Sequence, residues 1–225
     1  VKVYEEEREL TVMLLVDVSG SSDFGAEGEM KRDMMTEIAA TLAFSAIENN
    51  DKVGMILFSN KIEKFIPPKK GKKHILPVIS TLLNFQPQNK GTDIRQALEF
   101  LTDGIKKRCT AFLVSDFIDD SDYAHALSIA NNKHDLIALQ VYDKREMQLP
   151  DVGLVRVADA ETGAEKWVNT GAKKVREAYQ RRWYERQMKM NEHLQRSRVD
   201  SVSISTDEDY TKALLSLFKR RGIAR

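Results

Sequence analysis

The chain has 225 residues, 42% hydrophobic and 31% charged, with few Pro and Gly and a formal net charge of +1. Such a composition suits a globular protein with a substantial core and argues against disorder, and the balanced charge gives no global pull toward nucleic acid or anionic membrane. The single Cys109 excludes an internal disulfide, the scattered His74, His125, His134 and His193 offer no zinc-ligand spacing, and no apolar run approaches the roughly 20 residues of a membrane span.

In chain order, Val1 to Tyr4 alternates like a short strand, and Glu5 to Arg8 reads as a solvated connection. With no signal peptide at the N-terminus, a reducing, cytoplasmic setting is the default expectation; beginning on Val1, the chain reads as a piece of a longer protein. Leu10 to Ser22, LTVMLLVDVSGSS, opens as an apolar run without a polar face, the pattern of a strand buried on both sides of a parallel sheet. It ends in oxygen: Asp17, Ser19 and Ser21 supply a carboxylate and two hydroxyls at alternate positions, with Gly20 allowing a tight turn. A small-residue loop, Ser22 to Gly28, leads to a helix over Glu29 to Asn49 whose inward stripe is Met30, Met34, Ile38, Leu42 and Ala46 or Ile47. Val53 to Phe58 and Ile62 to Ile66 read as an antiparallel hairpin stopped by Pro67 and Pro68, and a basic PPKKGKKH segment leads into a helix with Ile75, Leu76, Ile79, Leu82 and Leu83 as its apolar positions.

A polar loop, Gln86 to Gly91, delivers Thr92 and Asp93 to the start of a helix with Ile94, Ala97, Leu98, Leu101 and Ile105 on one face, so either residue could cap it. Cys109, a small core residue, enters the strand Ala111 to Val114, which again runs into oxygen at Ser115, Asp116 and Asp119 to Asp122. A short helix over Ser121 to Asn132, a strand over Leu136 to Val141 and a hairpin of Val155 to Val157 with Lys166 to Val168 across Glu161-Thr162-Gly163 come next. A long helix from Ala172 to Arg196, a strand over Val199 to Ile204 and a helix over Asp207 to Phe218, capped within Ser205-Thr206-Asp207, complete the pattern. Strands alternating with helices predict an α/β fold, Rossmann-like and doubly wound: a mostly parallel sheet flanked by helices, with one antiparallel strand. Ligands of such sheets bind beyond the carboxyl ends of the strands, where strand order reverses, and both oxygen clusters fall there. No linker or repeat divides residues 1–225, so one domain is expected.

Asp17, Ser19, Ser21, Thr92 and Asp116 thus bring two carboxylates and three hydroxyls from three loops. Hard oxygen donors with little charge suit Mg²⁺, with Mn²⁺ or Ca²⁺ as alternatives, and leave the ion electrophilic toward a carboxylate from another molecule. The bland alternative has Ser19 and Ser21 shaping a turn while Asp17 bonds to backbone.

DVSGS at Asp17 to Ser21, GT at Gly91 to Thr92 and SDF at Ser115 to Phe117 resemble, in order and context, the metal-ion-dependent adhesion site of von Willebrand factor A-type domains. More closely, YEEERELTVMLLVDVSGS, KGTDIRQAL, VSDFID, LPDVGL, DAETG and TDEDY are similar to a bacterial family often called domain of unknown function 58, encoded beside MoxR-type AAA+ ATPases. The resemblance implies a von Willebrand A fold behind an additional N-terminal region. It implies Asp17, Ser19, Ser21 and Thr92 as ligands, direct or through water, Asp116 among or just behind them, and an ATPase of the MoxR type, or a protein it remodels, as partner. Asp93 departs from many adhesion-type sites, either capping its helix or adding charge to the site.

Rival readings are weaker. A haloacid-dehalogenase-like phosphoester hydrolase would use Asp17 as nucleophile but needs a second Asp where Ser19 stands, and a phosphate loop needs Lys and Ser or Thr where Ala26 and Glu27 stand. The helix over Ala172 to Arg198 is basic enough to touch phosphates, but Val175, Tyr179, Trp183, Met190 and Leu194 mark a packed face and make the charges its solvated side. The expected function is therefore non-enzymatic: metal-dependent capture of an exposed Asp or Glu of a partner protein, with nucleic acid disfavoured and no membrane span in the sequence.

Overall fold

The Thr11–Asp17 stretch forms β1, and every residue from Val12 to Asp17 is buried, as a strand with layers on both faces requires. The computed structural model describes residues 10–23, 31–158 and 164–222. The expected strand at 1–4, the loop at 24–28, the first two residues of the predicted first helix and the hairpin turn at 161–163 lie outside them.

β1 pairs in parallel with β2 (Lys52–Phe58) on one side and with β4 (Thr110–Ser115) on the other. The sheet runs β3-β2-β1-β4-β5-β8, where β3 (Ile62–Lys69) is the antiparallel edge and β5 (Asp135–Tyr142) and β8 (Asp200–Ser205) continue in parallel. The order in which successive strands are added reverses between β1 and β4, so the switch point lies between these two parallel strands. Val12, Leu14 and Val16 pack with α1 (Lys31–Glu48), α2 (Lys72–Asn84) and α6 (Tyr210–Arg220) on one face. Met13 and Leu15 pack with α3 (Ile94–Gly104), α4 (Ala124–Lys133) and α5 (Lys173–Arg196) on the other. This is the doubly wound, mostly parallel architecture with one antiparallel strand that the alternation of elements implies. β6 (Leu154–Ala158) and β7 (Glu165–Asn169) form a separate antiparallel hairpin.

Several local expectations shift. Pro67 and Pro68 do not stop β3, which continues to Lys69; they fall at a register shift between the pairs Met55–Ile66 and Val53–Lys69, where an edge strand tolerates missing donors. Opposite them Gly54 has no room for a side chain: a Cβ would lie 2.7 Å from Met13 Sδ and 2.8 Å from the Pro68 nitrogen. In α1 the buried stripe is Met35, Ile38, Ala39, Leu42, Ala43, Ala46 and Ile47, with Met34 only partly covered. α2 buries Ile75, Val78 and Leu82 and leaves Leu76 and Leu83 exposed. α4 starts at Ala124 because Asp122 takes the Ala124 N–H into the preceding turn. α6 is capped by Asp209, which accepts from the Thr211 N–H, while Asp207 bonds to Ser205 and Lys144. Only Met190 and Leu194 of the α5 stripe are buried.

Candidate metal centre

Asp17 ends β1 and Ser115 ends β4, one step past the paired residues Val16 and Val114. Neighbouring parallel strands thus deliver a carboxylate and a hydroxyl side by side. Ser115 Oγ donates to Asp17 Oδ2 at 2.6 Å, and the Ser19 N–H donates to Oδ1 at 2.9 Å. The Ser19 and Ser21 hydroxyls lie 3.0 Å apart, the second in a short 3-10 turn over Gly20–Asp23. All three predicted residues of the first loop are buried, as is Asp116.

Thr92 is half-buried, and the residues on either side of it are tied to the neighbouring loops. The Gly20 N–H donates to the Lys90 carbonyl at 2.7 Å, the Asp93 N–H to the Ser59 carbonyl at 3.0 Å and the Ile94 N–H to Asp119 Oδ2 at 2.7 Å. Glu63 of β3 accepts from Ser59 Oγ at 2.7 Å and from the backbone and side chain of Asn89 at 3.1 and 2.9 Å. The loops after β1, β2 and β4 and the segment carrying Thr92 are thereby tied into one crest. Asp93 is the cap of α3: its Oδ1 accepts from the Gln96 N–H at 3.0 Å, and its Oδ2 from Gln96 Nε2 at 2.8 Å and Arg95 at 3.2 Å.

Asp116 takes the Ile118 N–H on Oδ1 at 3.0 Å and Lys31 Nζ on Oδ2 at 2.6 Å. Lys31, wholly buried, also reaches Glu146 Oε1 at 2.6 Å, and Glu146 closes a capping box with Asp143. Burial, and then the negative charge of Asp116, push the Asp17 carboxyl up from 3.8 to about 7, against the hydrogen bonds from Ser115 and Ser19. Burial alone would lower the Lys31 ammonium, yet the flanking Asp116 and Glu146 hold it above its ordinary value. Glu146 is raised, burial outweighing the pull of Lys31, so the lysine charge is the better secured of the two.

The first loop and Asp116 therefore meet at the switch point, and the segment carrying Thr92 is tied to them through Lys90. Lys31, Ser115 and Glu146 are additions to the predicted set. Ser115 was legible as the residue before Asp116, but a lysine one step out of the expected apolar stripe carries no signal of burial. Among the described residues no three His, Cys, Asp or Glu converge as a metal-ligating group. The donor set is thus two carboxylates with hydroxyls, which fits a hard ion such as Mg²⁺ or Mn²⁺ and not a thiolate, imidazole or acid-rich cage. Cys109 and His134 do meet, Sγ to Nδ1 at 3.3 Å, but both are buried and burial pushes the thiol up to about 12, so the pair is no nucleophile. On α5, Arg176 is bound to Asp151 and to the carbonyls of Thr170 and Gly171, and Lys173 and Arg196 pair with Glu177 and Glu192, which leaves less of its charge for phosphates.

Residues 1–189 match the family described as "Protein of unknown function DUF58". The chain belongs to that family. A match of 30% identity over 159 residues joins this DUF58 chain to the uncharacterized protein Rv1480 of Mycobacterium tuberculosis, covering 70% of the chain and 50% of that protein. The chain thus spans about half the length of the mycobacterial relatives it matches. Among solved structures, BatB from Bacteroides thetaiotaomicron is similar with a TM-score of 0.61 at 14% identity, covering 95% of this chain and 98% of that one. An aerotolerance-related membrane protein from Bacteroides fragilis is similar with a TM-score of 0.63 at 15% identity, covering 93% and 99%. At these identities the likeness is one of fold. Among the described residues no helix is long and apolar enough to cross a membrane.

Proposed function

We propose that this DUF58 chain is a non-enzymatic, metal-dependent protein-binding module. Asp17, Ser19, Ser21 and Thr92 would hold a divalent cation, Mg²⁺ or Mn²⁺, directly or through water, with Asp116 just behind them. The cation would supply an electrophilic point for a carboxylate, so the partner is a protein presenting an exposed Asp or Glu. The resemblance of the sequence to proteins encoded beside MoxR-type AAA+ ATPases suggests such an ATPase, or a protein it remodels, as that partner.

One observation carries the reading: a fully buried carboxyl, Asp17, sits beside a second carboxylate and two facing hydroxyls with its ionised form disfavoured, an arrangement that a cation would relieve. An Asp nucleophile gains no support, because the position two residues on holds Ser19, whose hydroxyl is turned to Ser21. The test is calorimetric titration of Mg²⁺ and Mn²⁺ into metal-stripped protein and its Asp17→Ala variant, with and without an acidic peptide. Saturable binding by the wild type alone is expected. No binding by either protein, even with the peptide supplying a carboxylate, overturns the proposal.

A further inference from the structure

Lys31 is the most unusual side chain of the crest. It is a wholly buried cation on α1, where desolvation opposes a positive charge. It is held by Asp116 and Glu146, each at 2.6 Å, which arrive from the end of β4 and from the turn after β5. Apolar packing in place of such a cluster is often no less stable, so fold stability alone gives it little purpose. What sets it apart is its neighbour: Asp116 directly follows Ser115, whose hydroxyl donates to Asp17 Oδ2, so the lysine grips the carboxylate one residue from the end of β4 that faces Asp17.

We propose that Lys31 is a positioning residue that withholds Asp116 from the cation, leaving Asp17 as the one uncompensated carboxylate of the centre; the inference rests on the metal reading above. Asp116 Oδ2 is paired with the Lys31 ammonium and its Oδ1 takes the Ile118 N–H, whereas Asp17 accepts only from neutral donors, Ser115 Oγ and the Ser19 N–H, so an ion drawing on Asp116 has to compete with a lysine. With the Asp116 charge cancelled, a bound divalent ion keeps positive charge in excess and retains water that an outside carboxylate can displace. Glu146 holds Lys31 in place from the far side. Lys31 would thereby trade tight metal binding for the capacity to capture an acidic partner, because ligand charge governs affinity for hard cations.

The test compares wild type, the double variant Lys31→Met/Glu146→Gln and the single variant Glu146→Gln by Mn²⁺ titration and by the water-proton relaxivity of the bound ion. The double variant keeps the net charge of the cluster but removes its cation. It is expected to bind Mn²⁺ at least about tenfold more tightly, as Asp116 turns to the ion, with relaxivity falling by about one inner water. Glu146→Gln keeps Lys31 on Asp116 and removes a negative charge, so it is expected to bind more weakly at unchanged relaxivity. Equal or weaker binding by a folded double variant, or tighter binding by Glu146→Gln, overturns the assignment while leaving the metal reading intact. Should the double variant not fold, the single variant decides. A wild type that binds no Mn²⁺ removes both.

Discussion

Replacing Asp17 by Asn keeps the shape of the side chain and removes its charge, and the geometry of the crest sets the size of the effect. With the carboxyl raised from 3.8 to about 7, the ionised form costs the metal-free protein on the order of 4 kcal/mol, at about 1.4 kcal/mol per pH unit. Because the folded value lies above the unfolded one, that cost is absent below about pH 4 and grows until about pH 7. The amide gives some of it back: Ser115 Oγ already accepts the Phe117 N–H at 2.9 Å and donates to Asp17, and turning it to accept from an amide NH₂ leaves its proton without an acceptor. That loss is about 1 kcal/mol, so a net gain of roughly 2 to 3 kcal/mol is expected at about pH 8, or a Tm higher by about 5 to 10 °C. Little difference is expected at about pH 5. Mg²⁺ at about 100 times its Kd should add about 2.7 kcal/mol to the wild type and nothing to the variant. Thermal and urea unfolding followed by circular dichroism, at both pH values and with either chelator or Mg²⁺, reads all of these. An Asp17→Asn protein less stable than wild type in chelator at about pH 8, or equally stabilised by Mg²⁺, would refute the view of Asp17 as a buried charge awaiting a cation.

Asp93→Ala should remove the cap of α3 and lower unfolding stability by about 1 kcal/mol while Mn²⁺ binding persists. Abolished binding in a calorimetric titration would instead place Asp93 in the centre. Cys109, buried and with its thiol pushed up to about 12, should resist iodoacetamide in the native protein and react only in denaturant, as mass spectrometry would show.

The sheet was legible because its strands read as apolar runs, and the crest because two of those runs, β1 and β4, end in oxygen. What escaped the sequence depends on tertiary partners. The α1 stripe admits small residues such as Ala39 and Ala43 on its inner face and leaves Met34 half out, since contact with the sheet, not side-chain size, decides the buried face. Lys31 could not be placed because partners distant in sequence, Asp116 and Glu146, 85 and 115 residues away, make its burial tolerable. The ambiguity at Asp93 was real in sequence terms, as a cap and a ligand demand the same residue type at the same spot. The cap of α6 was misplaced for a similar reason: Asp207 and Asp209 are both acids before the helix, and a bond to Lys144 on another element draws the first away.

The missing side chain at Gly54 has a consequence well beyond its own strand. Its bare backbone lets Pro68 and Met13 close in, so β3 is clamped at one end, and at its other end Glu63 grips Ser59 and Asn89, close to Thr92 in the chain. β3 therefore joins the tight packing around Gly54 to the loop that leads toward Thr92. A methyl group introduced at residue 54 would have to displace Met13, on the strand that ends in Asp17, or the Pro68 backbone at the sheet edge.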